Sequence, residues 1–255
     1  MKGTTYMNTQ LKNYHTKRAN DCHIEEICAS FADKFYFDKC TAKNPSLAYE
    51  RVADVERQFK GEDLLLKKDG RVIAHVDEKA KTYKCLGEVI NWPSFEIKKY
   101  DTGHIGWFAN PGNTTTHYAY ISIASSKDVM PGNEWELEEA DISRMVYAFI
   151  NAKKFKKWVH DQTGKTLEAI VRDADKMVAD YEESPCPELL RKHYNKYIHL
   201  TYSPNMREKP VNLVVRRDMM RLHNLMTEIY IDRNHYQKYD APFGVVNPEK
   251  LYKQN

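Results

Sequence analysis

Three charged residues, Asp63, Asp77 and Lys79, have types and spacing that could support hydrolysis of a phosphodiester bond. Asp77 and Lys79 are two positions apart, so on a β-strand both side chains project from one face, which His75 shares. Two carboxylates on one surface can hold a hard divalent cation such as Mg²⁺, with Mn²⁺ as an alternative. A cation held there neutralises charge at a phosphate and activates a water molecule, and the lysine ammonium group orients that water.

Residues 61–81 must supply the strands that carry this set. Asp69 and Gly70 stand between two runs with β-strand character and are typical of a tight hairpin turn. Before them, residues 45–60 have apolar side chains at helical spacing, which predicts a helix that ends before Gly61. The chain is therefore expected to form a helix followed by a β-hairpin.

The length of the hairpin loop decides which acid joins the site. A two-residue loop would set Glu62 opposite Asp77, whereas a three-residue loop ending at Gly70 sets Asp63 opposite His75. We favour the three-residue loop, in which Gly70 has a positive φ and Glu62 points away from the site.

The rest of the chain indicates an α+β fold. A second hairpin is predicted from residues 94–98 and 104–108, and further strands at 116–123 and 211–215. Apolar spacing after about residue 138 predicts a mainly helical second half, with helices at 142–150, 167–181, 187–200 and 222–229.

The helix, the strand acid Asp63 and the element Asp77-Glu78-Lys79 on the next strand resemble the PD-(D/E)XK nuclease superfamily, also called restriction-endonuclease-like. The resemblance covers roughly residues 45–125. It implies that Asp63 and Asp77 bind magnesium and that Lys79 serves the attacking water.

Members of this superfamily often add a glutamate from the preceding helix. Glu56 lies at the edge of the apolar stripe and is the candidate, whereas Glu50 projects nearly opposite. The sequence departs from the family pattern where Glu62, in place of proline, precedes Asp63.

The resemblance also implies an architecture and a partner. We expect a mixed β-sheet core flanked by helices, divided into a polar arm (1–20), a nuclease-like core (21–165) and a helical C-terminal extension packed on it (166–255). The expected partner is nucleic acid, with DNA favoured, and a homodimer is left open. The rival hypothesis is a catalytically silent module of the same fold that binds nucleic acid or a protein.

Composition excludes several other classes. The chain has 255 residues and a net charge of +3, which does not by itself indicate a polyanion partner. It contains no run of eighteen apolar residues and no export signal near Met1, so we expect a cytoplasmic protein without membrane contact. The cysteines include no CxxC pair, and a zinc site around Cys22, His23, Cys28 and Cys40 is the weaker alternative to reduced thiols.

Two basic clusters have both a nucleic-acid and a structural interpretation. One surrounds Phe155 and Trp158 and consists of Lys153, Lys154, Lys156 and Lys157; the other consists of Arg216, Arg217 and Arg221. For the lysines, a solvated helix face is favoured over a contact with a nucleic-acid backbone.

Overall fold

The computed structural model describes residues 22–83, 92–127 and 136–233, which form two β-sheets with helices around them. The first helix, α1, runs through residues 22–32, a π-helical turn Asp33–Phe37 and the segment Asp38–Lys43. The later helices are α2 (Val55–Gln58), α3 (Ala152–Thr163), α4 (Leu167–Glu183) and α5 (Arg217–Leu222). The strands are β1 (Leu47–Arg51), β2 (Leu64–Lys68), β3 (Arg71–Tyr83), β4 (Ser94–Lys99), β5 (His117–Ser125), β6 (Ile142–Asn151), β7 (Arg191–His193), β8 (Ile198–Tyr202), β9 (Pro210–Val215) and β10 (Met226–Asp232).

The first sheet is mixed and has six strands in the order β1-β2-β3-β5-β6-β10. Its one parallel pair among the described strands is β3 with β5, and the other neighbours are antiparallel. The second sheet is antiparallel and has the order β4-β9-β8-β7. The coarse α+β expectation is therefore confirmed.

Two hydrophobic clusters lie on opposite sides of the first sheet. One packs α1 against β2, β3, β5, β6 and β10. The other fills the space between the first sheet, the apolar face of the second sheet, α3 and α4. Residues of β3 alternate between these sides, so Val76 is buried beneath α1, whereas Asp77 lies on the same side as its neighbour Tyr118.

The helix predicted at 45–60 is wrong. Residues Leu47–Arg51 pair with β2 as an edge strand, and only the short helix α2 follows. The predicted apolar stripe covers no core, because the side chains of Val55 and Phe59 are 58% and 79% exposed. Asn44 ends α1 instead of starting a new helix, since the proline after it disfavours a helical conformation at that position.

The prediction of a mainly helical second half is also wrong. Residues 142–150 lie in β6, 187–200 contain β7 and the first part of β8, and 222–229 contain the first part of β10. The central part of β6, residues 145–150, is almost wholly apolar because it is buried between the two clusters, and such a run cannot be assigned to helix or strand from periodicity. The predicted helix at 167–181 and the strands at 116–123 and 211–215 are confirmed.

Two further expectations concern residues 104–108 and 1–20. The strand predicted at 104–108 is reduced to one bridge between Ile105 and Lys98. The polar arm 1–20 lies outside the described residues. Among the described helices, none is long and apolar enough to cross a membrane.

Candidate active site

The hairpin turn has two residues, not the three that we predicted. Lys68 pairs with Arg71, so only Asp69 and Gly70 form the loop. Their φ angles are 50° and 74°, the left-handed conformation that a tight hairpin turn of this kind requires at both positions. The predicted positive φ at Gly70 is confirmed.

A β-bulge in the hairpin brings Asp63 level with Asp77, which a regular two-residue hairpin would not do. The register shifts between Leu66 and Lys67, and β3 contains one extra residue there, Ile73. The shift moves β2 by one position along β3, so Asp63, which comes just before the pair of Leu64 with Val76, lies beside Asp77, whereas a regular two-residue hairpin would set it opposite Val76. The predicted loop and the predicted partner of Asp63 were wrong.

The bulged hairpin brings Asp63, Asp77 and Lys79 together, and we call this group the Asp63 site. The backbone N–H of Asp63 donates to the carbonyl of Val76 at 2.9 Å, and Oδ2 of Asp63 accepts from the N–H of Glu78 at 2.7 Å. Nζ of Lys79 donates to Oδ1 of Asp77 and lies 4.0 Å from Oδ2 of Asp63. The lysine thus stands between the two carboxylates.

We had expected Glu62 to point away from the site, and this expectation was wrong. Its carboxylate is buried, lies 2.9 Å from Nδ1 of His75 and accepts hydrogen bonds from Arg57 and Thr114. Burial opposes ionisation of Glu62, but the hydrogen bonds outweigh that effect and lower its pKa. These partners occupy Glu62, so Asp63 is the acid that faces the lysine.

Gly61 shapes the chain just before the two acids. Its φ is 76°, and a Cβ atom at this position would lie 2.1 Å from Oγ1 of Thr115. The hydroxyl of Thr115 also donates to the carbonyl of Gly61 at 2.9 Å. Only glycine fits this close approach, which fixes the entry of the chain into β2.

Burial and charge set the protonation of the Asp63 site. Burial, together with the negative charge of Asp77, raises the pKa of Asp63 to about 7 against the opposing charge of Lys79. Burial alone would lower the pKa of Lys79, but the charges of Asp77 and Asp63 outweigh it and keep that pKa above its usual range. Lys79 is therefore a cation at neutral pH.

The two carboxylates are ligands of the type that a hard divalent cation takes. Oδ2 of Asp77 is buried and has no hydrogen-bond partner among the described residues, an arrangement that is costly unless a water or ligand satisfies it. The side chain of Asp63 is 28% exposed, so one of the two acids is open to solvent. Across the described ranges, no group of three or more His, Cys, Asp or Glu side chains is arranged to hold a metal. A cation at this site would take two protein carboxylates and fill its other positions with water or substrate oxygen.

The structure does not join Glu56 to this group. Glu56 is exposed in the first turn of α2, and no hydrogen bond or ion pair within the described residues links it to the Asp63 site. Glu50 lies on β1 and pairs with Lys67. Glu25 on α1, which the sequence analysis missed, contributes to the raised pKa of Lys79. Glu25 could not be recognised from the sequence because the helix that carries it, α1, was not predicted.

One wall of the site is aromatic and acidic. The ammonium group of Lys79 lies 5.6 Å from the centre of the Trp107 ring, a cation–π contact. Glu96 on β4 is close enough for the charge of Lys79 to act on its pKa, which burial raises overall. The site therefore lies where β3 of the first sheet approaches β4 of the second.

The opposite face of β3 carries a separate charged network. Glu78 accepts hydrogen bonds from Arg51 and from the hydroxyl of Tyr147, and Arg51 also pairs with Asp33 at 2.7 Å. Asp33 belongs to the π-helical turn of α1. This network ties the strand that carries Asp77 and Lys79 to α1.

The basic clusters have different outcomes. Arg217 is buried and pairs with Glu228 at 2.5 Å, and Arg221 pairs with the same carboxylate at 2.6 Å, so these two residues are structural. In the lysine cluster, Phe155 and Trp158 belong to the hydrophobic core, and Lys157 pairs with an acid one turn away, at 2.6 Å.

Among the cysteines, Cys28 is fully buried and burial raises its pKa, whereas Cys22 is exposed.

Comparison with known proteins leaves the family unassigned. No family model matches the sequence, no curated protein is similar to it, and no solved structure matches its fold. The function must therefore be argued from the residues of the site.

Proposed function

We propose that this protein is a magnesium-dependent nuclease that hydrolyses phosphodiester bonds in nucleic acid, with DNA as the favoured substrate. The observation that carries the proposal is the convergence of Asp63 and Asp77 on Lys79, with the buried Oδ2 of Asp77 left without a hydrogen-bond partner in the part of the chain that the structure describes. The mixed sheet with an antiparallel acid-bearing hairpin also supports a restriction-endonuclease-like core.

The protonation state of each residue in the Asp63 site determines its proposed role. Asp63 and Asp77 would hold magnesium, which would supply charge neutralisation at the phosphate and an acidified water. Asp63, with a pKa of about 7, loses its proton near neutral pH, and the carboxylate would then be available to hold the cation. Lys79 stays protonated, so its Nζ offsets charge on the phosphate and orients the attacking water, and it does not act as a base.

A silent binding module is the second candidate. It is favoured by one observation, the absence of a third acidic ligand beside Asp63 and Asp77 within the described residues. In such a module the ion pair between Lys79 and Asp77 would be structural, and the chain would bind nucleic acid without cutting it.

A panel of substrates separates the two candidates. Supercoiled plasmid, linear duplex, single-stranded DNA and RNA are incubated with the purified protein in Mg²⁺, Mn²⁺ or chelator. The nuclease predicts cleavage of at least one substrate that stops in chelator. Binding without cleavage under every metal condition would support the silent module.

A further inference from the structure

The second sheet has one apolar face and one polar face. Its apolar face carries Phe95, Leu213 and Leu200, which are all buried in the core shared with α4. Residues next to these on each strand point the opposite way, so a second set of side chains lines the other face.

Two cross-strand rows make up this polar face. The strand pairing aligns Ser94, Val214, His199 and His193 in one row. It aligns Glu96, Asn212, Thr201 and Arg191 in the next. Each row crosses four strands, a span of about 14 Å at ordinary strand spacing.

The rows begin beside the Asp63 site. Lys79 is paired with Tyr120 on β5, and the hydroxyl of Tyr120 lies 3.2 Å from both the backbone nitrogen and Oγ of Ser94. Glu96 starts the second row and lies within the electrostatic reach of Lys79. The polar face is thus continuous with the wall of the site.

Aromatic rings and cations gather along this face. The Arg216 guanidinium lies 5.8 Å from the ring of Trp92 and 5.5 Å from the ring of Tyr197. The Trp92 ring is itself 5.5 Å from that of His199 and is 42% exposed. Such mixtures of aromatic rings and guanidinium groups offer stacking platforms for unpaired bases.

The far end of the rows is positively charged. His193 and Arg191 are exposed there on β7. After burial, their charges are the causes that lower the pKa of His199 to about 4. Among the described residues, the acids near this face include Glu96 at its start, Glu208, whose charge acts on Glu96, and Asp218, which pairs with Arg216. Because Asp218 offsets the charge of Arg216, Arg216 serves stacking more than phosphate attraction, and Arg191 supplies the charge.

We propose that the polar face of the second sheet binds one unpaired strand of nucleic acid and directs its backbone toward Lys79. The proposal rests on the proposed nuclease function for the class of ligand, and it extends that function by naming a single-stranded segment as the preferred substrate. Bases would stack at Trp92 and Arg216, and phosphates would approach Arg191 and His193.

Fluorescence anisotropy in chelator tests this binding without any need for cleavage. The probes are a labelled single strand of about 16 nucleotides, within the site sizes of such grooves, and its duplex. We expect the wild type to bind the single strand more tightly than the duplex. Trp92→Ala should weaken single-strand binding about tenfold with an unchanged salt dependence, and Trp92→Phe should restore most of the affinity.

Charge variants provide the second arm. Arg191→Ala together with Arg216→Ala should weaken single-strand binding and reduce the slope of log affinity against log salt by about 0.7, the share of Arg191, because Asp218 offsets the charge of Arg216. The matched control is Lys157→Ala together with Lys176→Ala, two exposed lysines on α3 and α4 away from this face. The control should bind as the wild type does.

Three outcomes would overturn the proposal: no binding of the single strand by the wild type, equal losses in the charge variant and its control, or equal affinities for single strand and duplex. Because binding is measured in chelator, these outcomes are separate from those of the cleavage panel. A protein that binds as predicted but never cleaves would contradict the nuclease and leave this surface in place.

Discussion

The backbone N–H of Glu78 donates a 2.7 Å hydrogen bond to Oδ2 of Asp63, which fixes the acid that precedes β2 to the strand that carries Asp77 and Lys79. The contact depends on the bulge in the hairpin, because without it Asp63 would be displaced by one position along β3. The backbone hydrogen bond and the bulge therefore bring the side chains of two strands together without any ligand.

Ionisation of Asp63 should lower the stability of the metal-free protein as the pH rises from about 4 to about 7. An aspartate in the unfolded chain has a pKa near its ordinary value of 3.8, whereas Asp63 in the folded protein has a pKa of about 7. Between these values the folded state binds a proton that the unfolded state lacks, so raising the pH favours unfolding. Asp63→Asn should flatten this dependence.

Urea denaturation in chelator at several pH values measures this effect for the wild type and the variant. The control is Asp161→Asn, an exposed acid on α3 that pairs with Lys157. If the wild type and Asp63→Asn have parallel stability curves across this range, Asp63 is ionised throughout and the argument from burial fails.

A divalent metal should bind the Asp63 site with a dissociation constant in the micromolar to millimolar range, an order-of-magnitude expectation of about 4 to 8 kcal/mol for two carboxylates and water. Asp63→Asn combined with Asp77→Asn should remove this binding in titration calorimetry. Unchanged heat of binding in the double variant would place the metal elsewhere.

Lys79→Met should lower the rate of single-turnover cleavage by about a hundredfold or more and leave substrate binding nearly unchanged. The reason is that the ammonium group stands between two carboxylates, where charge develops in the reaction, and not on the outer surface. Lys157→Met is the matched control on an exposed helix face. Weaker, less salt-dependent binding with normal turnover would show that Lys79 only attracts phosphate.

Glu228→Gln should destabilise the protein by about 3 kcal/mol, because it leaves a buried guanidinium without its counterion. Arg217 is 4% exposed, and the Glu228 carboxylate bridges it to Arg221. The exposed pair of Arg216 and Asp218 gives the control, and Asp218→Asn should cost less than about 1 kcal/mol. Similar denaturation midpoints for both variants would contradict the structural role of Arg217.

The site was more predictable from sequence than the elements around it. Asp77 and Lys79 share a face by the two-residue period of a strand, and Asp69-Gly70 marks the turn, so local rules suffice for both. The bulge at Ile73 has no comparable local signal, and it moved the partner of Asp63 by one position. The predicted loop length and the predicted register were both wrong, but Asp63 was still the acid that faces Lys79.

The helical assignments failed where burial hid the period. Met145 to Ile150 is apolar at every position except the half-polar Tyr147, because β6 is covered on both sides, and no spacing within it distinguishes strand from helix. The helix α4 was predictable because one of its faces is exposed to solvent and its apolar residues recur every three or four positions. Residues 187–200 contain no such signal, and cross-strand pairing decided their structure.

The most direct test of the account is single-turnover cleavage by Asp77→Asn beside wild type and Asp161→Asn, with saturating Mg²⁺ on the best substrate of the panel. Asp77 is 2% exposed, and its Oδ2 has no protein partner among the described residues, so the amide variant keeps the shape of the site and removes one carboxylate ligand. The account predicts a loss of at least about a hundredfold in rate for Asp77→Asn with binding retained, and wild-type rates for Asp161→Asn. Equal cleavage rates for Asp77→Asn and the wild type would contradict it.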